Sequence, residues 1–427
     1  MNRRSFVRSV TGTAGGAILL DVLVRQGAIA ELPPWPAGGL SGEEFWKFVR
    51  DQFPLSHDRA YLNTGGLGAS PYVVINAVKE KMDELERTGE TGHDDNLWRS
   101  IKTAAGELLG CEAGELAFVR NTTEGVNIVA NGLPFRQGDE IITTTQEHVG
   151  NIMPWLPLAR RVGLTPRFFE PSNVSQQENL DRIQALLSTR TRLISVPHAV
   201  TTTGVVLPVK EIAEIARSKK IWFFIDGAQS AGMFPFDLHE IGCDAYATSG
   251  HKWLMGPKET GLLYVRKDIL EIIEPRFSGA YSAGAFDYQK GSYEFEPTAQ
   301  RYEYGTVSTP LRVGLGAAVG FVERIGIRNV WGRDRFLSTR LYRGLREIPG
   351  VTVLSPEREE MRSAMITIMH QSIPHLALQD HLTTYNLRTR SVNEGGLAAL
   401  RISMHIYNST EEVDRVLEAV RTARKVQ

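Results

Sequence analysis

Only two cysteines, Cys111 and Cys243, occur in 427 residues, too few for a disulfide framework or a cysteine-built metal cluster. His-Glu-x-x-His and Cys-x-x-Cys spacings are absent as well, so no metal site is expected. Net charge is almost nil, with 48 Lys and Arg against 49 Asp and Glu, and no basic tract offers nucleic acid an electrostatic footprint. No uncharged apolar run approaches the roughly 20 residues that cross a bilayer, which argues against stable membrane insertion. What is present is an ordinary balance, 42% apolar and 23% charged residues, which excludes a disordered chain and suits one large two-part α/β subunit.

The first thirty residues stand apart. Asn2-Arg3-Arg4-Ser5-Phe6-Val7-Arg8 carries the paired arginines and following apolar residue of a twin-arginine export signal. A weakly apolar stretch from Val10 to Leu20 follows, broken afterwards by Asp21 and Arg25, and Ala28-Ile29-Ala30 offers a small-x-small cleavage site. The expectation is a signal peptide over residues 1–30, passage through the twin-arginine export machinery, and a periplasmic mature protein. That route carries folded proteins, so a cytoplasmic cofactor can be acquired before export.

Residues 31–60 form an N-terminal segment. Glu31-Leu-Pro-Pro-Trp-Pro-Ala-Gly-Gly reads as a linker, and Ser41 is a candidate N-cap for a helix through Val49. Tyr61-Leu-Asn-Thr-Gly-Gly-Leu-Gly is a strand end entering a glycine-rich turn, followed by a helix from Tyr72 to Arg87. Short apolar runs then alternate with helical patterns: Leu116–Val119, Glu140–Thr144, Thr165–Phe169, Arg192–Val196, Ile221–Ile225, Ala245–Thr248 and Gly261–Val265. This alternation predicts an α/β large domain over 61–324 with a mostly parallel, helix-covered sheet. Strands near Val351–Leu354, Ala364–Met369 and Ala399–Met404, enclosed by helical segments, predict a smaller C-terminal α+β domain over 325–427.

The chemistry concentrates in two stretches. Phe224-Ile-Asp-Gly-Ala-Gln-Ser places Asp226 at the carboxyl end of an apolar run, where parallel sheets present ligand-binding groups. Tyr246-Ala-Thr-Ser-Gly-His-Lys places Lys252 after hydroxyl, glycine and imidazole neighbours and before an apolar turn. A lysine amine condenses with an aldehyde, and a buried carboxylate holds a pyridine nitrogen protonated. Together they describe a site for pyridoxal 5'-phosphate (PLP). A solvated lysine and an N-capping aspartate are the plainer alternatives.

A phosphate calls for hydroxyls and a helix N-terminus. Arg120-Asn-Thr-Thr-Glu-Gly supplies Thr122 and Thr123 where an apolar strand turns into a helix, although a capping motif reads the same way. Ser249 and His251, beside the lysine, are further phosphate donors. His148, just past the strand ending at Thr144, is placed to stack on a cofactor ring or is a loop histidine. Gln229 is a candidate donor to the ring's phenolic oxygen.

In its motif order the chain resembles the class V aminotransferase group of fold type I PLP enzymes, which includes cysteine desulfurases and isopenicillin-N-epimerase-like proteins. The order is Asn-Thr-Thr-Glu-Gly, Glu147-His148, Pro197-His198 with Thr201-Thr-Thr-Gly, Asp-Gly-Ala-Gln-Ser, Ser-Gly-His-Lys, Glu303-Tyr-Gly-Thr306 and Leu400-Arg-Ile-Ser. The resemblance implies that Lys252 carries the cofactor, Asp226 pairs with the pyridine nitrogen and His148 stacks on the ring. It also implies that Gln229 contacts the phenolic oxygen, while Thr122, Thr123, Ser249 and His251 bind phosphate. Thr306 would reach the phosphate of a second subunit, hence a homodimer with shared sites. Arg401 matches an arginine that clamps a substrate carboxylate, a bidentate task suited to guanidinium, and Asn63 lines the substrate mouth by analogy. Two departures stand out. The loop Leu387-Arg-Thr-Arg-Ser-Val-Asn-Glu-Gly-Gly lacks the nucleophilic cysteine of desulfurases, and Thr201 stands where many of them carry asparagine near the phenolic oxygen.

The expected activity is therefore PLP-dependent chemistry at the amino group of a small or peptide-borne amino acid, with transamination or a related tailoring reaction in front. Epimerisation and cysteine or cystine C–S cleavage are the alternative reactions. A catalytically silent PLP-fold binding protein is the alternative of another class. The leader and motif layout are similar to those of exported relatives that tailor the siderophore pyoverdine.

Overall fold

A computed structural model of the protein describes residues 16–25, 29 and 42–424. Strand β1 (Ala60–Tyr61) comes first, and seven strands then build the main sheet. They are β2 (Leu116–Val119), β3 (Glu140–Thr144), β4 (Thr165–Phe169), β5 (Thr191–Pro197), β6 (Trp222–Asp226), β7 (Ala245–Ser249) and β8 (Gly261–Val265). The order across the sheet is β2-β8-β7-β6-β5-β3-β4, and β8 alone runs against the rest.

Both faces of this sheet are covered, which is why its strands read as unbroken apolar runs. Phe223 and Ile225 of β6 enter one core with Ile194 and Val196, while Phe224 enters the other with Leu193 and Ala247. That is the period-two alternation of a strand. The helix Thr122–Gly132 lies close on β7 because Gly125 has no side chain: a Cβ there would come within 2.6 Å of Ala247 Cβ.

An exposed hairpin, β9 (Ala283–Asp287) and β10 (Ser292–Phe295), follows the main sheet. The remaining strands are β11 (Val351–Val353), β12 (Met365–His370), β13 (Leu387–Arg388), β14 (Arg390–Val392) and β15 (Ala399–Ser403). Four of them form an antiparallel sheet in the order β11-β12-β15-β14. The fifth, β13, pairs in parallel with β1, and Asn63 bridges to Ser403. Ala60 and Leu62 are thereby buried with Leu341, Leu387 and Val416 in the core of the C-terminal sheet and its helices.

The long apolar stretches were foreseen as strands within a residue or two. The strand end at Tyr61 was foreseen too, but the hairpin, the short strands Leu387–Arg388 and Arg390–Val392 and the helix Asp95–Leu109 were not. That helix buries Leu97, Trp98, Ile101, Ala104, Ala105 and Leu109 at helical spacing, and the Asp94 carboxylate caps it by accepting from Asn96 and Leu97 N–H.

Of the segment read as a leader, the helix Gly16–Arg25 is described. It packs on the helix Thr309–Ile325, burying Leu19, Leu20 and Leu23. Gly320 makes room for it, since a Cβ there would lie 2.6 Å from Leu20 Cγ. The paired arginines, the residues flanking Ile29 in the cleavage motif, and the Ser41 cap lie outside the described residues.

Candidate active site

Strands β2, β3, β5, β6 and β7 point the same way, so their carboxyl ends open on one edge of the sheet. Ligands of α/β proteins bind in the crevice beyond such an edge. Asp226 ends β6. Its backbone carbonyl accepts from His198 N–H at 2.9 Å, and its Oδ1 accepts from Ala228 N–H at 2.8 Å. Lys252 follows β7 in a turn that is held at three successive carbonyls. Gly68 N–H donates to His251 O at 2.7 Å and Met255 N–H to Lys252 O at 3.0 Å, while His405 Nε2 bonds Trp253 O at 3.0 Å.

His405 is itself held by Asp334, with Nδ1 2.9 Å from Oδ2 and neither side chain exposed. A helix of the C-terminal part thus fixes the lysine turn through one imidazole. Burial drives Asp226 up from the ordinary carboxylate range and pulls the Lys252 amine down to about 8, with each charge partly restoring the other. Arg401 and Arg390 lower the lysine further. An amine near 8 is partly unprotonated at neutral pH, the form that attacks carbonyls and accepts protons.

At one end of this cleft, Thr122 and Ser249 meet. The Thr122 N–H donates to Ser249 Oγ at 3.0 Å, and the two hydroxyls lie 2.8 Å apart at the N-terminus of the helix Thr122–Gly132. Thr123 Oγ1 sits so close to Gly150 that a Cβ there would come within 2.5 Å. His148, two residues before Gly150, accepts from the Gly150 N–H through Nδ1 at 3.0 Å and caps the next helix. Desolvation by its neighbours and then the Lys252 charge push its imidazole down to about 4, although the residue as a whole is exposed to solvent. His251 is lowered likewise to about 4, and its buried Nδ1 has no partner.

At the other end stands Arg401, fully buried on β15. Its Nη1 donates to Thr201 O at 2.7 Å and Thr201 Oγ1 at 2.8 Å, and its Nη2 lies 3.5 Å from Asn63 Oδ1. Its Nε has no partner. Burial, then Arg390, lowers this guanidinium to about 9. Gln229 is more committed than the sequence suggested: Nε2 donates to Gly65 O at 2.8 Å and Thr201 Oγ1 at 3.1 Å, while Oε1 accepts from Trp253 Nε1. Thr201 Oγ1 therefore accepts twice, which leaves its own proton to donate elsewhere.

Lys252, Asp226, His148, Thr122, Ser249 and His251 thus lie together with Thr201, Gln229, Arg401 and Asn63, whereas Thr123 lines a neighbouring cavity of about 940 Å³ with Asn127, Phe277 and Tyr304. Thr306 does not join them: it is exposed and lines a separate cavity of about 210 Å³ with Arg120, Tyr304 and Arg312. Sequence reasoning assigned no role to Arg390, Gly68, His405 or Glu147. Glu147 is buried, raised to about 7 by burial, and held by Thr143, Thr144 and Asn151. Its position beside His148 was the available signal.

The donor set fits PLP. Hydroxyls and a helix N-terminus suit a phosphate, the unpartnered His251 Nδ1 and Arg401 Nε are buried atoms awaiting a polar group, and Asp226 with Lys252 suits a pyridine aldehyde.

A family profile described as Aminotransferase class-V matches residues 78–416. The chain belongs to the class V aminotransferase family. Among relatives of this class V protein is a probable cysteine desulfurase 2 of Mycobacterium leprae (strain TN), 30% identical over 404 residues and matched over 87% of this chain and 95% of that one. Similar solved structures include the apo cysteine desulfurase of Thermococcus onnurineus NA1, at 26% identity and TM-score 0.78, over 88% of this chain and 97% of that one. Another is a cystine C-S lyase in complex with its reaction product cysteine persulfide, at 28% identity and TM-score 0.78, over 87% and 99%. This class V chain is accordingly a PLP-dependent enzyme with the α/β fold of these proteins.

Proposed function

We propose that this enzyme works at the amino group of an α-amino carboxylate, with transamination or a related tailoring reaction as its outcome. The observation that carries the reading is Arg401: buried, anchored on Thr201 through Nη1, and left with an unpartnered Nε in the cleft that holds Lys252. Nε and Nη2 share one edge of a guanidinium, the edge that accepts a carboxylate with two hydrogen bonds. Bound PLP supplies the electron sink that makes loss of a proton or group from the amino-bearing carbon feasible. The chain's part is to seat the carboxylate on Arg401, to keep a negative charge at Asp226 opposite the pyridine nitrogen, and to take up the α-proton on Lys252 Nζ. Thr201 Oγ–H is the free donor for the phenolic oxygen. Thr122, Ser249 and His251 hold the phosphate, with His148 against the ring.

A desulfurase reaction needs a sulfur-accepting thiol. Cys243 is fully buried, Cys111 is half-buried, both lie in the main-sheet part, and burial pushes both thiols upward. C–S cleavage of cysteine or cystine is the second reading, favoured because it needs no enzyme thiol and because a cystine C-S lyase is among the similar structures. Single-turnover spectroscopy separates them. Conversion of the cofactor to its amine form by an amino acid supports amino transfer, whereas pyruvate release from cystine with a transient change in the cofactor spectrum that returns to the starting form supports lysis. If no amino acid perturbs the cofactor spectrum, both readings fail.

Export and assembly belong to the same proposal. Arg3-Arg4 and the apolar run behind them support a twin-arginine route to the periplasm, tested by a Lys-Lys replacement that should retain precursor in the cytoplasm. A siderophore or another exported amino compound is then a natural substrate. The exposed Thr306, apart from Lys252 in its own chain, supports a homodimer in which it serves the partner's phosphate, tested by complementation between Lys252→Ala and Thr306→Ala subunits.

A further inference from the structure

Arg390 stands directly across from Arg401 in the register of β14 and β15. Opposed residues of an antiparallel pair project from the same face with Cβ atoms about 5 Å apart, and like charges so placed repel unless an anion lies with them. Arg390 belongs to the site, since its charge lowers the titration of Lys252, His148 and Arg401 alike. Its ion-pair partner among the described residues is Glu394, four positions on, reached by one hydrogen bond from Nη2 to Oε1. A guanidinium has five donors, so most of them remain uncommitted.

Glu394 opens a short turn in which Gly395 and Gly396 take positive φ, 65° and 73°. That turn rests against the segment leading to His148: a Cβ on Gly395 would lie 3.0 Å from Thr145 O. Arg390 and Glu394 therefore sit at the rim of the cleft between Arg401 and His148. Arg401 alone suffices for one carboxylate. A second guanidinium one strand away is surplus to that task, and its side chain stays 27% exposed with one ion-pair partner, Glu394.

We propose that Arg390 receives a second carboxylate, so that the preferred substrate is an acidic α-amino acid, bound by Arg401 at its α-carboxylate and by Arg390 at its side chain. Glu394 holds Arg390 in place until the substrate's own carboxylate replaces it. The proposal rests on Arg401 as the α-carboxylate clamp, and the test separates the two.

The holoenzyme is titrated by calorimetry with unreactive acids, propionate and butyrate against succinate and glutarate. Glutarate or succinate should bind about tenfold tighter than the monocarboxylates, as expected for one charge-assisted contact on a partly exposed group. Arg390→Gln should remove this preference while keeping monocarboxylate affinity, and Glu394→Gln should strengthen dicarboxylate binding by freeing Arg390. Arg401→Gln should lose both classes of ligand. Equal affinity for the two classes in the parent protein, or a preference that survives Arg390→Gln, overturns the proposal. Intact monocarboxylate binding in Arg401→Gln overturns instead the clamp on which it rests. Cofactor absorbance and thermal midpoint, recorded for each variant, identify any that has not folded. Should Arg390→Gln be one of those, the Glu394→Gln result decides, and unchanged or weaker dicarboxylate binding there overturns the proposal.

Discussion

Replacing Gly68 with alanine presses a methyl group into the backbone of the lysine turn. The new Cβ would lie 1.9 Å from the Lys252 carbonyl oxygen and 2.9 Å from its carbon, backbone atoms that cannot swing aside. A relaxed carbon–oxygen contact is about 3.3 Å or more, so roughly 1.4 Å of separation must come from parting the two segments. Parting stretches the 2.7 Å hydrogen bond from Gly68 N–H to His251 O, worth about 1 kcal/mol net. Overpacking of a buried contact costs about 1–3 kcal/mol besides. The expected loss is therefore roughly 2–4 kcal/mol, accompanied by displacement of Lys252. Urea denaturation reads the first, and PLP content of the purified protein, which should fall, reads the second. Gly332→Ala is the control: its Cβ would meet nothing within 4 Å on the helix Ile327–Arg346, so stability should hold or rise by about 0.5–1 kcal/mol. A Gly68→Ala protein with parental stability and full PLP content would show that the lysine turn does not depend on this close approach.

Three further outcomes follow from the geometry. With the Lys252 amine lowered to about 8 against about 10.4 when free, the rate of PLP uptake by apoprotein should climb through pH 8. The unfolded chain keeps that proton longer, so this lysine's contribution makes apoprotein stability rise between about pH 8 and 10.4. An uptake rate that levels only above pH 10 contradicts the lowered amine. His405→Phe strips Trp253 O of its donor and leaves Asp334 buried without its partner, a loss of about 3–5 kcal/mol by urea denaturation; an unchanged midpoint would show that the clamp is idle. Cys111→Ser combined with Cys243→Ala should leave turnover of the best amino acid substrate within about twofold, because neither thiol reaches the cleft. Abolished turnover in a folded double variant would restore a thiol mechanism.

The fold was readable where burial on both faces of the sheet imposed a long apolar run. Trp222–Asp226 and Gly261–Val265 are examples, and the acid at the end of the first pointed to the cleft. A two-residue strand such as Leu387–Arg388 carries no period to detect, so the stitching of residues 60–64 to the C-terminal sheet stayed hidden. The same holds within the site. Lys252 and Asp226 announce themselves by neighbours in sequence, but Gln229 gets its partners from Gly65 and Trp253, and His405 from a helix 71 positions away. Arg390 looked like one more loop arginine until the strand register set it opposite Arg401. Residue type proposed the chemistry; only tertiary placement separates a committed donor such as Gln229 from a free one such as Thr201.

Lys252 is the residue expected to hold the cofactor. Borohydride reduction of the holoenzyme, followed by digestion and mass spectrometry, should find the reduced pyridoxyl group on the peptide containing Lys252 and on no other lysine. Reduction that leaves the Lys252 peptide unmodified while another lysine carries the group would place the cofactor elsewhere.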